Sequence, residues 1–253
     1  MGGLKRRIKK SLPAGKRGGK ELKLAAVLVG EDKNSKIFLR QKEKACKFVG
    51  VGFQLYQFPQ NISQNDLTKK VKNIVSQKNH GIIIQLPLPK HINTTKILNL
   101  VPAKKDVDLL SEKSFGSKIL PPVLAGILEF FKAYKIEFKG KNAVVAGRGK
   151  LVGGPVADWM KKHGVKVFVI DKKTPNIAKI TKKADILISG IGQPGLIKGS
   201  MVKNGVVVID AAGDVDFKSV AKKAGYLTPV PGGIGPVTVA MLLKNLVILN
   251  TIR

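Results

Sequence analysis

Lys42 stands on the apolar side of a predicted helix, and that placement gives the sequence its first chemical question. Over residues 34–49, Phe38, Ala45 and Val49 form one apolar stripe, Leu39 and Cys46 flank it, and Lys42 falls on the stripe with them. Lys36, Arg40, Lys44 and Lys47 point elsewhere and read as charges facing solvent. A long stem that snorkels back to water accounts for Lys42 without any task. A lysine desolvated near other cations instead loses basicity and suits proton transfer. Gln85 closes the apolar run 81–84 and precedes Leu86-Pro87-Leu88-Pro89, so its amide emerges at the carboxyl end of a strand, where α/β proteins build their sites. Asp106 and Asp108 follow Lys104-Lys105 and, taken alone, read as a turn or a surface ion pair. A lysine, an amide and a carboxylate together can hold a heterocycle with several donors and acceptors.

A second group of residues suggests phosphate chemistry. Gly147-Arg148-Gly149 follows an apolar strand and leads through Lys150-Leu151-Val152 to Gly153 at the head of a helix. Glycines let the backbone turn tightly and approach a pyrophosphate, and a helix N-terminus presents free N–H groups to it. The spacing is one residue longer than the usual dinucleotide fingerprint, and a plain structural turn needs glycines equally. Asp171 ends the next strand, 24 positions after Gly147, where an acid binds an adenosine ribose. Lys172 and Lys173 follow it, and with Arg148 they can surround a 2′-phosphate. These residues point to a dinucleotide and leave NAD and NADP both open.

Such residues need a scaffold with strand ends side by side. Continuous Val/Ile/Leu runs at 24–29, 81–86, 143–146, 165–170, 186–189 and 206–209 are separated by amphipathic spacers, the pattern of parallel strands buried on both faces. Helices are expected at 34–49, 66–76, 125–134, 152–163 and 237–249. Polar, Gly and Pro residues break the periodicity around 106–124, which places a domain crossing there. The reading is an α/β protein of two domains, 1–124 joined by the returning helix 237–253, and 125–236 with its own parallel sheet.

The composition narrows the function classes. The chain has 253 residues, 43% of them hydrophobic, enough for a substantial core. No run of about 18 apolar residues is read as a membrane span, and the basic start lacks the apolar segment of a signal peptide, so a cytoplasmic protein is expected. The single cysteine, Cys46, excludes an internal disulfide and reads as helix packing. The histidines 80, 91 and 163 are scattered, and no metal is expected. The net charge of +30 raises the question of nucleic acid. Its lysines, however, spread along the whole chain, and no zinc finger, aromatic RNA motif or recognition helix accompanies them.

The chain resembles the methylenetetrahydrofolate dehydrogenase/cyclohydrolase family over nearly its whole length. The resemblance rests on LAAVLVG (24–30), KEKACKFVG (42–50), GIIIQLPLP (81–89), KDVD (105–108), GRGKLVGGP (147–155), ADILISGIGQPGLI (184–197), GDVDF (213–217) and TPVPGGIGPVTVAML (228–242). It implies a folate-binding catalytic domain and a Rossmann-type dinucleotide domain flanking a cleft. It implies that Lys42 is the catalytic lysine, Gln85 its polar partner and Asp108 the carboxylate that anchors the pterin. Phe38, Gln85, Leu86 and Pro87 would line the pterin pocket, with Pro231, Gly232 and Gly233 approaching the folate from the other side. Gly147, Arg148 and Gly149 would hold the cofactor phosphates, Asp171 or Lys172 the adenosine ribose, and Gly190, Ile191, Gly192 and Gly213 the nicotinamide half. The activity implied is oxidation of 5,10-methylenetetrahydrofolate with NADP, then hydrolysis of the methenyl product, in a homodimer serving one-carbon metabolism and purine biosynthesis.

This sequence also departs from the family pattern. Phe38 replaces a tyrosine one turn before the catalytic lysine, Leu109 replaces the glycine after Asp-Val-Asp, and Pro122-Val123-Leu124 replaces Cys-Thr-Pro. Gly149 stands where serine is common, and the Asp-Gly-Lys start and longer first helix are missing. The loop between Asp210 and Gly213 is short. These changes bear on the hydrolase more than on the dehydrogenase.

Overall fold

Apolar runs bounded by capping residues give two separate parallel sheets in the computed structural model, which describes residues 16–17, 20–114, 116–171 and 173–251. The chain divides into two units, Met1–Pro122 with Val239–Arg253, and Val123–Thr238.

In the first unit β1 (Lys23–Val29) lies between β2 (Gly52–Phe58) and β3 (Gly81–Ile84), all parallel. Leu24 to Leu28 of β1 are at most 1% exposed, as the unbroken apolar run requires of a strand covered on both faces. Helix α1 (Lys33–Val49) starts where the Asp32 carboxylate accepts the Ser35 amide at 2.7 Å. It stops at Gly50, which takes a left-handed φ of 76°. Helix α2 (Gln64–Ser76) is opened by Ser63, whose hydroxyl accepts the Asp66 amide while donating to its carboxylate. With the short α3 (Thr94–Leu98), these elements close a core of Val27, Leu67, Val71, Ile74, Ile84 and Ile97.

The second unit is a five-stranded parallel sheet with β4 (Asn142–Ala146) inside it. On one side of β4 lies β5 (Lys166–Ile170), and on the other lie β6 (Ile186–Ser189), β7 (Val207–Asp210) and β8 (Tyr226–Leu227). Helices α4 (Pro122–Ala133), α5 (Gly153–Lys162), α6 (Ile177–Thr181) and α7 (Phe217–Ala221) belong to the same part of the chain. The strand order reverses at β4, and its carboxyl end is where an open α/β sheet leaves a crevice.

The last helix, α8 (Ile234–Thr251), begins three residues before the expected 237, because Pro236 sits in its first turn, where a missing N–H costs nothing. Helix α4 likewise starts on Pro122 rather than at 125. Contrary to the expectation of no apolar run of spanning length, α8 is long and apolar enough by length and composition to cross a membrane. Its side chains have a different use here: Val239, Met241, Leu242, Leu243 and Leu246 are at most 5% exposed. Asn245, 4% exposed, donates to the carbonyls of Val107 at 3.0 Å and Leu120 at 2.9 Å. Leu246 fills the space over Gly81, where a Cβ would come within 2.6 Å of it.

Candidate active site

Helix α1 buries a line of residues one step over from the expected stripe. Ser35, Leu39 and Cys46 are buried and Lys42 lies between them, whereas Phe38, placed on the stripe by the sequence reading, is 43% exposed. Both 35–39–42–46 and 38–42–45–49 carry the same helical spacing and share Lys42, so spacing alone does not choose between them; the helix is rotated so that the first set faces the core and Phe38 lies at the edge of that face.

Lys42 meets its expected partners. Its Nζ donates to Gln85 Oε1 at 3.1 Å and lies 4.0 Å from Asp108 Oδ2, with 13% and 11% of the two charged side chains exposed. The other half of the Gln85 amide is used as well, since Nε2 donates to the Leu86 carbonyl at 2.9 Å. The amide therefore cannot turn its nitrogen toward the ammonium without losing both bonds. Ser35, which the sequence reading passed over, donates to the same Leu86 carbonyl at 3.4 Å and holds the turn that leads into Pro87.

Burial pushes the Asp108 carboxyl above its ordinary value; the Lys42 ammonium opposes that rise and Asp106 adds to it. Asp106 serves the turn itself, accepting the Ser111 amide at 2.8 Å and the Ser114 hydroxyl at 2.7 Å. Leu109, next to Asp108, has a φ of 54°, a left-handed conformation that a branched side chain adopts at a cost of about 1–2 kcal/mol. A polarised ammonium held between an amide oxygen and a buried carboxylate can pass a proton to a bound heterocycle and take it back.

In the second unit the glycines after β4 divide by role. Gly147 has a φ of 106°, and a Cβ on it would stand 2.9 Å from the Gly190 carbonyl. A Cβ on Gly153 would come within 1.9 Å of the Gly147 carbonyl, so helix α5 packs on the loop only because that position is glycine. Gly149, by contrast, has nothing within 4 Å of a built Cβ. The open crown over the head of a ten-residue helix suits a pyrophosphate.

Asp171 follows β5 and is paired with Arg148, whose Nε lies 3.2 Å from its Oδ2. The Lys173 amide, Thr174 hydroxyl and Arg148 hold the Asp171 carboxyl below its ordinary value, the amide contributing most of the three. Lys172 lies outside the described residues. Gly190, Ile191 and Gly192 form the turn after β6, Gly192 with a φ of 80°, and Gly213, with a φ of 82°, lies in the turn after β7.

Two carboxylates that sequence reasoning missed shape these turns. Asp210 Oδ1 accepts the amides of Ala212 at 3.1 Å, Gly213 at 2.7 Å and Asp214 at 3.1 Å, and its Oδ2 accepts Val215 at 3.0 Å. Asp214, fully buried, reaches back to the turn after β6. Pro231, Gly232 and Gly233 belong to this second unit, between β8 and α8, where a Cβ on Gly233 would stand 2.3 Å from the Pro229 carbonyl.

Comparison with known proteins follows the same division. Residues 2–108 match the model of the tetrahydrofolate dehydrogenase/cyclohydrolase catalytic domain, and residues 121–252 that of the NAD(P)-binding domain of the same family. The second match includes α8, most of which the structure places in the first unit. A "Bifunctional protein FolD" of Campylobacter hominis is 44% identical over 88% of this chain and 84% of its own length. The Campylobacter jejuni FolD methylenetetrahydrofolate dehydrogenase/cyclohydrolase superposes with a TM-score of 0.88 at 37% identity, covering 98% of this chain and 94% of that one. The Trypanosoma brucei enzyme, complexed with NADP and an inhibitor, gives 0.90 at 32% identity over 98% and 93%.

Proposed function

The chain belongs to the tetrahydrofolate dehydrogenase/cyclohydrolase family, and on that premise we propose that it oxidises 5,10-methylenetetrahydrofolate with NADP and hydrolyses the methenyl product to 10-formyltetrahydrofolate. The observation that carries the reading is Lys42 held at 3.1 Å by Gln85 and 4.0 Å from Asp108 within one unit.

The second unit fits a dinucleotide: Gly147 and Gly153 keep the backbone clear above a helix N-terminus at the reversal of strand order. Gly147, Arg148 and Gly149 would hold its phosphates, and Gly190, Ile191, Gly192 and Gly213 would approach its nicotinamide half. Bound there, the nicotinamide supplies the hydride acceptor. The chain's own work is to orient the pterin, with Asp108 and the Gln85–Pro87 turn of the first unit, and to exclude water. Arg148 favours NADP once it is released from Asp171.

In the hydrolysis, water adds to the methenyl carbon and the bond from that carbon to N5 breaks. One proton passes from the water to N5 and the other is released. Lys42 is the group that moves the proton. Phe38 offers no hydroxyl to this step, so hydrolysis is the slower of the two reactions.

The enzyme works in the cytoplasm as a homodimer, feeding one-carbon units to purine biosynthesis, with folate derivatives rather than nucleic acid or membrane as its partners. The outer edge of β5, with Phe168 57% exposed, supports association with a second copy. A spectrophotometric assay that follows reduced cofactor and methenyl product separately tests the reading. Reduction of NADP with methenyl product accumulating ahead of its hydrolysis is expected. Absence of cofactor reduction with both NADP and NAD refutes it.

A further inference from the structure

We propose that Asp214 is the positioning residue for the dinucleotide site, acting through the turn 190–193; this rests on the dinucleotide reading of the second unit. Its carboxylate is fully buried and collects three donors from a segment 21–25 residues away: the Ser189 hydroxyl at 2.6 Å, the Ile191 amide at 2.8 Å and the Gln193 amide at 2.6 Å. Among the described residues no cation pairs with it. Burying an unpaired carboxylate is costly unless every lone pair is used, and here the donors come almost entirely from one turn.

That turn is the one in contact with the loop after β4. A Cβ on Gly147 would stand 2.9 Å from the Gly190 carbonyl, and one on Gly190 would stand 2.8 Å from Val152. Neither interface leaves slack, so any displacement of residues 190–193 reaches Gly147 and the head of α5. Asp214 is itself held from behind. Its amide donates to Asp210 Oδ1 at 3.1 Å, and its carbonyl accepts the Ile197 amide at 3.0 Å. The two carboxylates therefore act in series: Asp210 folds the turn after β7, that turn sets Asp214, and Asp214 fixes the turn after β6 against the glycine loop.

The test is Asp214→Asn in the full chain. The amide keeps the size of the side chain but turns one acceptor into a donor, which then faces an N–H or O–H already pointing at it. The dissociation constant for NADP, measured by titration calorimetry, should rise at least tenfold, with KM for NADP following it. Hydrolysis of supplied methenyltetrahydrofolate, which consumes no dinucleotide and depends on Lys42 in the other unit, should stay within twofold of wild type. Ser189→Ala, which removes one donor and leaves the carboxylate, should weaken NADP binding about threefold and provides the answer if the asparagine variant does not fold. NADP affinity unchanged in either folded variant overturns the proposal. So does loss of hydrolysis and of the circular dichroism spectrum in parallel with affinity, which marks a general structural role. If wild type binds no NADP at all, the dinucleotide reading fails, and the inference with it.

Discussion

Replacing Lys42 by methionine separates its chemical role from its structural one. Two unit charges 4.0 Å apart at an effective dielectric of 20 attract by about 4 kcal/mol. Without Lys42, Asp108 remains buried with no counter-charge at that distance among the described residues, and its already raised pKa rises further. The carboxyl can escape by taking up a proton. At pH 7 that costs about 4 kcal/mol relative to an unfolded-state value near 3.9, which caps the penalty at the same size.

The sign follows from linkage. An acid whose folded pKa is raised destabilises the fold above its unfolded pKa and has no effect below it. Lys42→Met should therefore be less stable than wild type by up to about 4 kcal/mol at pH 7, and the difference should shrink to nothing below about pH 4. Urea melts across that range measure it. Lys42→Met with Asp108→Asn should regain most of the lost stability and none of the methenyl hydrolysis. Hydrolysis at the wild-type rate in the single variant would refute a catalytic Lys42. A stability gap independent of pH would refute the coupling to Asp108.

Leu109→Gly should stabilise the chain by about 1 kcal/mol in a urea melt, because glycine adopts a φ of 54° without strain. Gly153→Ala should abolish NADP binding, its methyl falling 1.9 Å from a carbonyl, whereas Gly149→Ser, with nothing within 4 Å, should bind NADP within a few-fold of wild type. Asp171→Ser should raise the NADP to NAD ratio of kcat/KM several-fold by freeing Arg148, and an unchanged ratio would show that Arg148 does not read the cofactor. Burial pushes the Cys46 thiol up to about 12 from 9.0. Above pH 9 the unfolded thiol ionises first, so wild type should lose about 1.4 kcal/mol of stability per pH unit relative to Cys46→Ala, and the native thiol should resist alkylation at pH 8.

What the sequence showed depended on how local each signal was. Lys42 was legible because its anomaly lies inside one helix, and Gln85 because it ends an apolar strand. Residues 52–58 were not read as a strand, because Gln54 and Gln57 interrupt the apolar run that marks a strand covered on both faces; β2 is an edge strand and tolerates them. Gly147 and Gly149 read alike in sequence, yet only the first is held by its neighbours. Asp214 was illegible for the opposite reason. Its three donors lie 21–25 residues away, and nothing in GDVDF announces them.

The packing of α8 has a consequence for biosynthesis. The first unit's core is completed by Asn245, which ties Val107 to Leu120, and by Leu246 over Gly81, residues that leave the ribosome after the whole of the second unit. Domains usually mature in the order in which they are made. Here the order inverts: residues 123–238 can close their own sheet while β1, β2 and β3, translated first, wait for their covering helix. During that interval the nascent chain presents the apolar surface that α8 later covers, around Gly81 and Val107, which a chaperone at the tunnel exit would bind. A stop codon just before Asn245 would accordingly leave the dinucleotide unit folded and the folate unit open.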